Sequence, residues 1–152
     1  MRSRGVDLII YNDKGQAVLL AEVKGRAGTS PQWAAQYRRN LLSHGTLPHA
    51  PYFLIATADR LYFWKQNHSD SSEQLPDFTM SAAEEFKPYF ERHKQSPNEI
   101  GEEALEFVLV SWLNDLQRTI PQRLKHEPAL RWLVESELID SLEGSRLQMT
   151  VA

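Results

Sequence analysis

No cysteine occurs in this chain of 152 residues. Disulfide scaffolds, thiolate zinc sites and cysteine nucleophiles are excluded with it. Long apolar runs are lacking as well. The longest, Phe107 to Leu113, is broken by Ser111 and is far shorter than the ~20 residues that cross a bilayer. The first residues do not read as a secretory leader, because Asp7 interrupts the short apolar block of Val6 and Leu8–Ile10, and a leader needs an uncharged core of ~7–15 residues. The expected setting is therefore cytoplasmic, with no membrane partner. There is no Gly-rich phosphate loop, so ATP use within the chain is not expected. Acidic residues are absent between Glu22 and Asp59, a stretch that holds Lys24, Arg26, Arg38 and Arg39.

That last gap belongs to a wider asymmetry. Residues 1–69 carry nine Lys/Arg and four Asp/Glu, a net of +5, whereas residues 70–143 carry seven and sixteen, a net of −9. A like-charge block of this kind suggests that one half meets an anion. The composition, 41% hydrophobic and 24% charged, is that of a globular protein. The length suits a single domain over 1–152.

The pattern predicts an α/β fold. Val6–Tyr11 and Gln16–Lys24 are apolar runs around Asn12-Asp13-Lys14-Gly15, which is turn chemistry, and together they read as a β-hairpin buried on both faces. Ser30-Pro31 opens a helix that runs to about His44. Tyr52–Thr57 and Leu61–Lys65 read as a second hairpin, and 66–79 as a polar surface loop. Ser81-x-x-Glu84 is a capping-box pattern, with Pro88 ending or kinking the helix it starts. Ser96–Glu99 starts a long amphipathic helix carrying Leu105, Val108, Leu109, Trp112, Leu113 and Leu116 on one stripe. A further helix is expected over about 128–143, and Leu147, Met149 and Val151 alternate as a short terminal strand. The expectation is a small mixed sheet of four to five strands over 1–65, flanked by helices, with a helical extension over 80–152.

The hairpin gathers charge. If Asn12 closes the turn with Gly15, Asp7 lies opposite Leu20; if Asp13 faces Gln16, Asp7 lies opposite Glu22. Either way Asp7, Leu20, Glu22 and Lys24 share one sheet face, because side chains alternate with period two. Charges in a buried hairpin cost several kcal/mol each to desolvate. Two adjacent carboxylates make a hard-oxygen site for Mg²⁺ or Mn²⁺, with the carbonyl of Val23 as a third oxygen. Such a metal lowers the pKa of a bound water and neutralises phosphate charge. Lys24 is placed to orient or deprotonate that water. Arg26, Arg38 and Arg39 follow at once and would grip neighbouring phosphates. These parts describe phosphodiester hydrolysis, with DNA as the partner.

Asp7, fourteen residues, then Glu22-Val23-Lys24 resembles the PD-(D/E)xK motif of the restriction-endonuclease-like nuclease superfamily. The helix Gln32–Arg39 resembles the glutamine-bearing helix of its type I restriction motor-subunit branch, and Ala56–Trp64 is similar to a hairpin of those nuclease domains. The resemblance covers about residues 5–65. It implies a restriction-endonuclease-like core, Asp7 and Glu22 as metal ligands, Lys24 as the catalytic lysine and Gln36 as an accessory residue, with Gln32 an equal candidate because Tyr37 adjoins Gln36. It implies a restriction, repair or mobile-element setting. The family core also begins with a helix ahead of the Asp strand. Only six residues precede Asp7 here, so the expectation is either a chain truncated at its start or a layer filled by a helix from elsewhere in the chain, from a second copy in a homodimer, or from a partner chain. Two rival readings keep the fold without turnover: a nucleic-acid-binding module, and a protein-interaction module that docks through the acidic half.

Overall fold

The computed structural model describes residues 6–44, 47–65, 73–93, 101–116 and 146–149, together with Trp132, Leu138 and Leu142. Six strands form one mixed sheet. They are β1 (Leu8–Tyr11), β2 (Ala17–Lys24), β3 (Tyr52–Thr57), β4 (Arg60–Trp64), β5 (Phe78–Ser81) and β6 (Arg146–Met149), in the spatial order β5-β4-β3-β2-β1-β6. Among the described residues only β2 and β3 run parallel, and the crossover between them is α1 (Pro31–His44).

The β1–β2 hairpin matches neither two-residue turn. The Asn12 N–H donates to the Gln16 carbonyl at 2.9 Å and the Gly15 N–H to the Asn12 carbonyl at 3.0 Å, so three residues form the loop. Gly15 sits at φ +79°, a left-handed conformation that glycine adopts without strain. The Asn12 side chain also accepts the Lys14 and Gln16 N–H groups, each at 2.9 Å. A register shift between Ile10 and Tyr11 then restores the pairing Leu8↔Ala21 and Ile9↔Leu20. Extended by one residue, this sets Asp7 across from Glu22.

Period-two alternation sorts the strands' side chains onto two buried faces. Ile9, Leu20, Phe53, Ile55, Tyr62 and Trp64 pack with Val6 and Ala34 under α1. Leu8, Ile10, Leu19, Ala21, Val23, Leu54, Ala56 and Phe63 pack on the opposite side against α4 (Glu102–Leu116) and its neighbours. The stripe of Leu105, Val108, Leu109, Trp112, Leu113 and Leu116 is buried as its spacing implies.

The α/β class with a mixed sheet flanked by helices is as expected, and the expected terminal strand is found at Arg146–Met149, paired with β1. The loop expectation is corrected, because Phe78–Ser81, at the end of the supposed polar loop, pairs antiparallel with β4. Phe78 supplies the apolar anchor, its ring 6.2 Å from Phe63 and 6.0 Å from Trp132. Ser81 does cap a helix, accepting the Glu84 N–H at 3.4 Å. That helix, α2 (Ala82–Glu85), stops at Phe86, and α3 (Lys87–His93) restarts with Pro88 in its first turn, where a missing N–H costs nothing. The helix start at Ser96–Glu99 and most of the helix over 128–143 lie outside the described residues, although Leu138 and Leu142 are buried in the core. Among the described residues no helix is long and apolar enough to cross a membrane.

Candidate active site

The C-terminal end of β2 carries the candidate site, beside the parallel β2–β3 pair, where crevices form in α/β sheets. Beyond the last β1–β2 ladder pair, the Asp7 N–H donates to the Ala21 carbonyl at 3.1 Å. Asp7 Oδ2 accepts the Val23 N–H at 2.8 Å. The N–H and C=O of one strand residue point to the same edge, so the Val23 carbonyl also turns toward the Asp7 side. Asp7 is 4% exposed and Glu22 3%.

Glu22 is the crowded member of the pair. Its Oε2 accepts the Tyr37 hydroxyl at 2.9 Å and lies 3.9 Å from Lys24 Nζ. Its Oε1 is buried and receives no N–H or O–H donor. Burial is the main force that pushes the Glu22 carboxyl up to about 8; the hydrogen bond and charge of Asp7 add to it, and Tyr37 and Lys24 oppose it. Burial also acts to lower the Lys24 ammonium, but the Tyr37 hydroxyl and the charges of Glu22 and Glu102 outweigh it, so Lys24 sits above its ordinary value. Tyr37 is pushed up to about 12, chiefly by burial, and its ring lies 5.2 Å from Lys24 Nζ.

The arginines part company. Arg26 is exposed, with its guanidinium 5.5 Å from the Trp33 ring. Arg39 is exposed and 3.9 Å from Glu73. Arg38 does not lie on a nucleic-acid-facing surface: it is fully buried, 5.9 Å from the Phe53 ring and 5.7 Å from Trp64. Helical spacing explains this, since Ala34, Arg38 and Leu41 fall on the stripe of α1 that meets the sheet. Gln36 and Gln32 are both exposed. The helix residue that reaches the carboxylates is Tyr37, which the reading of the glutamines passed over. Its signal was the Trp33–Tyr37 spacing of four, which brings the two rings within 5.3 Å, tilted by 32°, on one side of α1.

The layer that the resemblance assigns to a helix ahead of the Asp strand is covered by α4, from the C-terminal side of the chain. Its first turn abuts the site. A Cβ on Gly25 would meet Glu102 Cβ at 3.2 Å and the Glu102 nitrogen at 3.3 Å, so glycine follows Lys24 because the helix end comes this close.

Among the described residues no group of three or more His, Cys, Asp and Glu side chains is gathered for a metal ion. The site instead offers two carboxylates and one carbonyl. Hard oxygen donors suit Mg²⁺ or Mn²⁺, and the buried, unpartnered Glu22 Oε1 beside Asp7 is what a bound cation would satisfy. Compared with known protein families, characterised proteins and solved structures, the chain finds no match.

Proposed function

We propose that this domain hydrolyses phosphodiester bonds of DNA with Mg²⁺ or Mn²⁺, in a cytoplasmic restriction, repair or mobile-element setting. The observation that carries the reading is the pair Asp7 and Glu22, buried side by side with one orphaned oxygen, and Lys24 two residues on at 3.9 Å. Asp7, Glu22 and the Val23 carbonyl would hold the cation. When bound, it supplies Lewis-acid charge and a water of lowered pKa. Without a cation the surroundings of Lys24 favour the ammonium, and in that form it would orient the attacking water and hold a phosphate oxygen. Tyr37 fixes Glu22 Oε2 and the ammonium in one arrangement. Arg26 contacts a neighbouring phosphate, and the buried Arg38 is withdrawn from that role.

The test is cleavage of plasmid and oligonucleotide DNA by the purified protein with Mg²⁺, Mn²⁺ or EDTA. The reading expects metal-dependent nicking that Glu22→Gln abolishes. DNA binding without cleavage in either metal would favour an inactive binding module on the same fold, and neither binding nor cleavage would favour a protein-interaction role.

A further inference from the structure

A chain of cations and rings leads away from the carboxylate pair. Lys24 lies over Tyr37, the Tyr37 ring meets Trp33 at 5.3 Å with the planes tilted by 32°, and Arg26 lies over Trp33 at 5.5 Å. Tyr62 backs Trp33 at 6.4 Å. Trp33 is half-buried, Arg26 is exposed, and Tyr62 is fully buried, so the stack is anchored in the core and ends at solvent. It covers the first two turns of α1, one helical turn from the groups that face the proposed metal.

The loop that carries Arg26 is pinned. The Arg26 N–H donates to the Lys24 carbonyl at 2.8 Å, and the Arg26 carbonyl accepts the Ala58 N–H at 3.0 Å. The Gly28 N–H donates to Asp59 Oδ2 at 3.0 Å. Thr29 Oγ1 lies 2.7 Å from the Tyr62 hydroxyl, and the Thr57 hydroxyl donates to Asp59 Oδ1 at 3.0 Å. These bonds tie the loop backbone to the β3–β4 hairpin, so the position from which Arg26 reaches over Trp33 is fixed.

We infer that Trp33 and Arg26 form a subsite for an unpaired nucleotide beside the scissile phosphate, which makes single-stranded or locally unpaired DNA the substrate class. Inside a duplex both faces of each base are already stacked. A base finds a protein ring or a guanidinium only when it is splayed out of the helix. The guanidinium on the solvent side of Trp33 offers both a stacking surface and N–H donors to the adjoining phosphate. The inference rests on the nuclease reading for the position of the scissile bond, but the contact itself needs no turnover.

The experiment is fluorescence anisotropy of a labelled oligothymidylate and of a duplex of equal length, in EDTA, so that cleavage plays no part. The wild type is expected to favour the single strand by at least about tenfold. Trp33→Leu should weaken it by roughly fivefold to a hundredfold, the worth of one stacked base, with an unchanged salt slope. Trp33→Phe should restore much of the loss. Arg26→Gln, at an exposed position that does not endanger folding, should lower the salt slope by ~0.7, the share of one single-strand phosphate. Duplex binding as tight as single-strand binding, no single-strand binding, or equal affinity in wild type, Trp33→Leu and Arg26→Gln would each overturn the subsite, whatever the outcome of the cleavage assay. Single-strand binding of the expected pattern in a protein that never cleaves would sustain the subsite and remove the nuclease reading.

Discussion

The Tyr37 hydroxyl donates to Glu22 Oε2 at 2.9 Å, across fifteen positions of chain that run from the end of a central strand to the second turn of a helix. This bond favours the ionised form of a carboxyl that burial otherwise keeps protonated. Tyr37→Phe keeps the ring under Lys24 and against Trp33 but removes the donor. One such hydrogen bond contributes about 1 kcal/mol, so metal-dependent cleavage should fall by about three- to tenfold. Steady-state rates on one oligonucleotide check this, with circular dichroism to show that the fold is kept.

Asp7 and Glu22 should also report on metal without any substrate. With Mg²⁺ at tenfold its Kd, mass action stabilises the fold by about 1.4 kcal/mol, a rise in Tm of about 3–5 °C for a domain of this size. Asp7→Asn and Glu22→Gln should lose most of that rise, and Lys24→Ala should keep it. Above about pH 8, where Glu22 ionises, Asp7→Asn should leave the metal-free protein as stable as the wild type or more so, since the amide oxygen can still accept the Val23 N–H while the repulsion with Glu22 disappears. Thermal melts of the four proteins with and without Mg²⁺ decide this.

Stability should fall as pH rises. The ordinary carboxyl value is 4.5, and in the fold Glu22 is pushed up to about 8 and Glu85 to about 7. Glu85 is shifted mainly by burial; it accepts the Trp132 indole N–H at 3.0 Å and its Oε2 is buried without a hydrogen-bond partner. The folded state therefore binds more protons than the unfolded chain between these values. The stabilisation is complete below about pH 4.5 and is lost as pH rises through 7 and 8. Urea melts across this range should show the decline. Glu85→Gln should flatten its lower part, and Mg²⁺ near pH 8 should recover stability in the wild type but not in Glu22→Gln.

The hairpin, the helix after it and the carboxylate pair were legible in the sequence, because Asn12–Gly15, Ser30-Pro31 and the alternation around Asp7 and Glu22 are local signals. The register was open until the three-residue turn and the shift at Ile10/Tyr11 were seen, since a bulge leaves no mark in alternation. β5 was hidden because Phe78–Ser81 holds a single strong apolar anchor, and that anchor is met by Phe63 and Trp132, far away in sequence. Arg38 was misread because adjacent arginines look alike in a charge count. Only the helical phase of Ala34 and Leu41 distinguishes the buried one from Arg39. The approach of α4 to Gly25 is a long-range contact that no local pattern announces.

The two adjacent arginines should behave oppositely. Arg38→Ala removes a buried side chain packed on Phe53 and Trp64 and should cost about 3 kcal/mol, in the range of large-to-small core changes. Arg39→Ala breaks only an exposed pair with Glu73 and should change stability by less than about 0.5 kcal/mol. Chemical denaturation of both variants checks the contrast, and equal losses would contradict the burial of Arg38.

Lys24 offers the most direct test of the nuclease account, because the account gives it chemistry and no share in metal binding. Cleavage of a plasmid and of a single-stranded oligonucleotide is measured for wild type and Lys24→Ala with Mg²⁺ and with Mn²⁺, alongside the Mg²⁺-induced rise in Tm. The account predicts metal-dependent cleavage by the wild type, none by Lys24→Ala, and the same Tm rise in both. Equal cleavage by the two proteins, or no cleavage by the wild type in either metal, would contradict it.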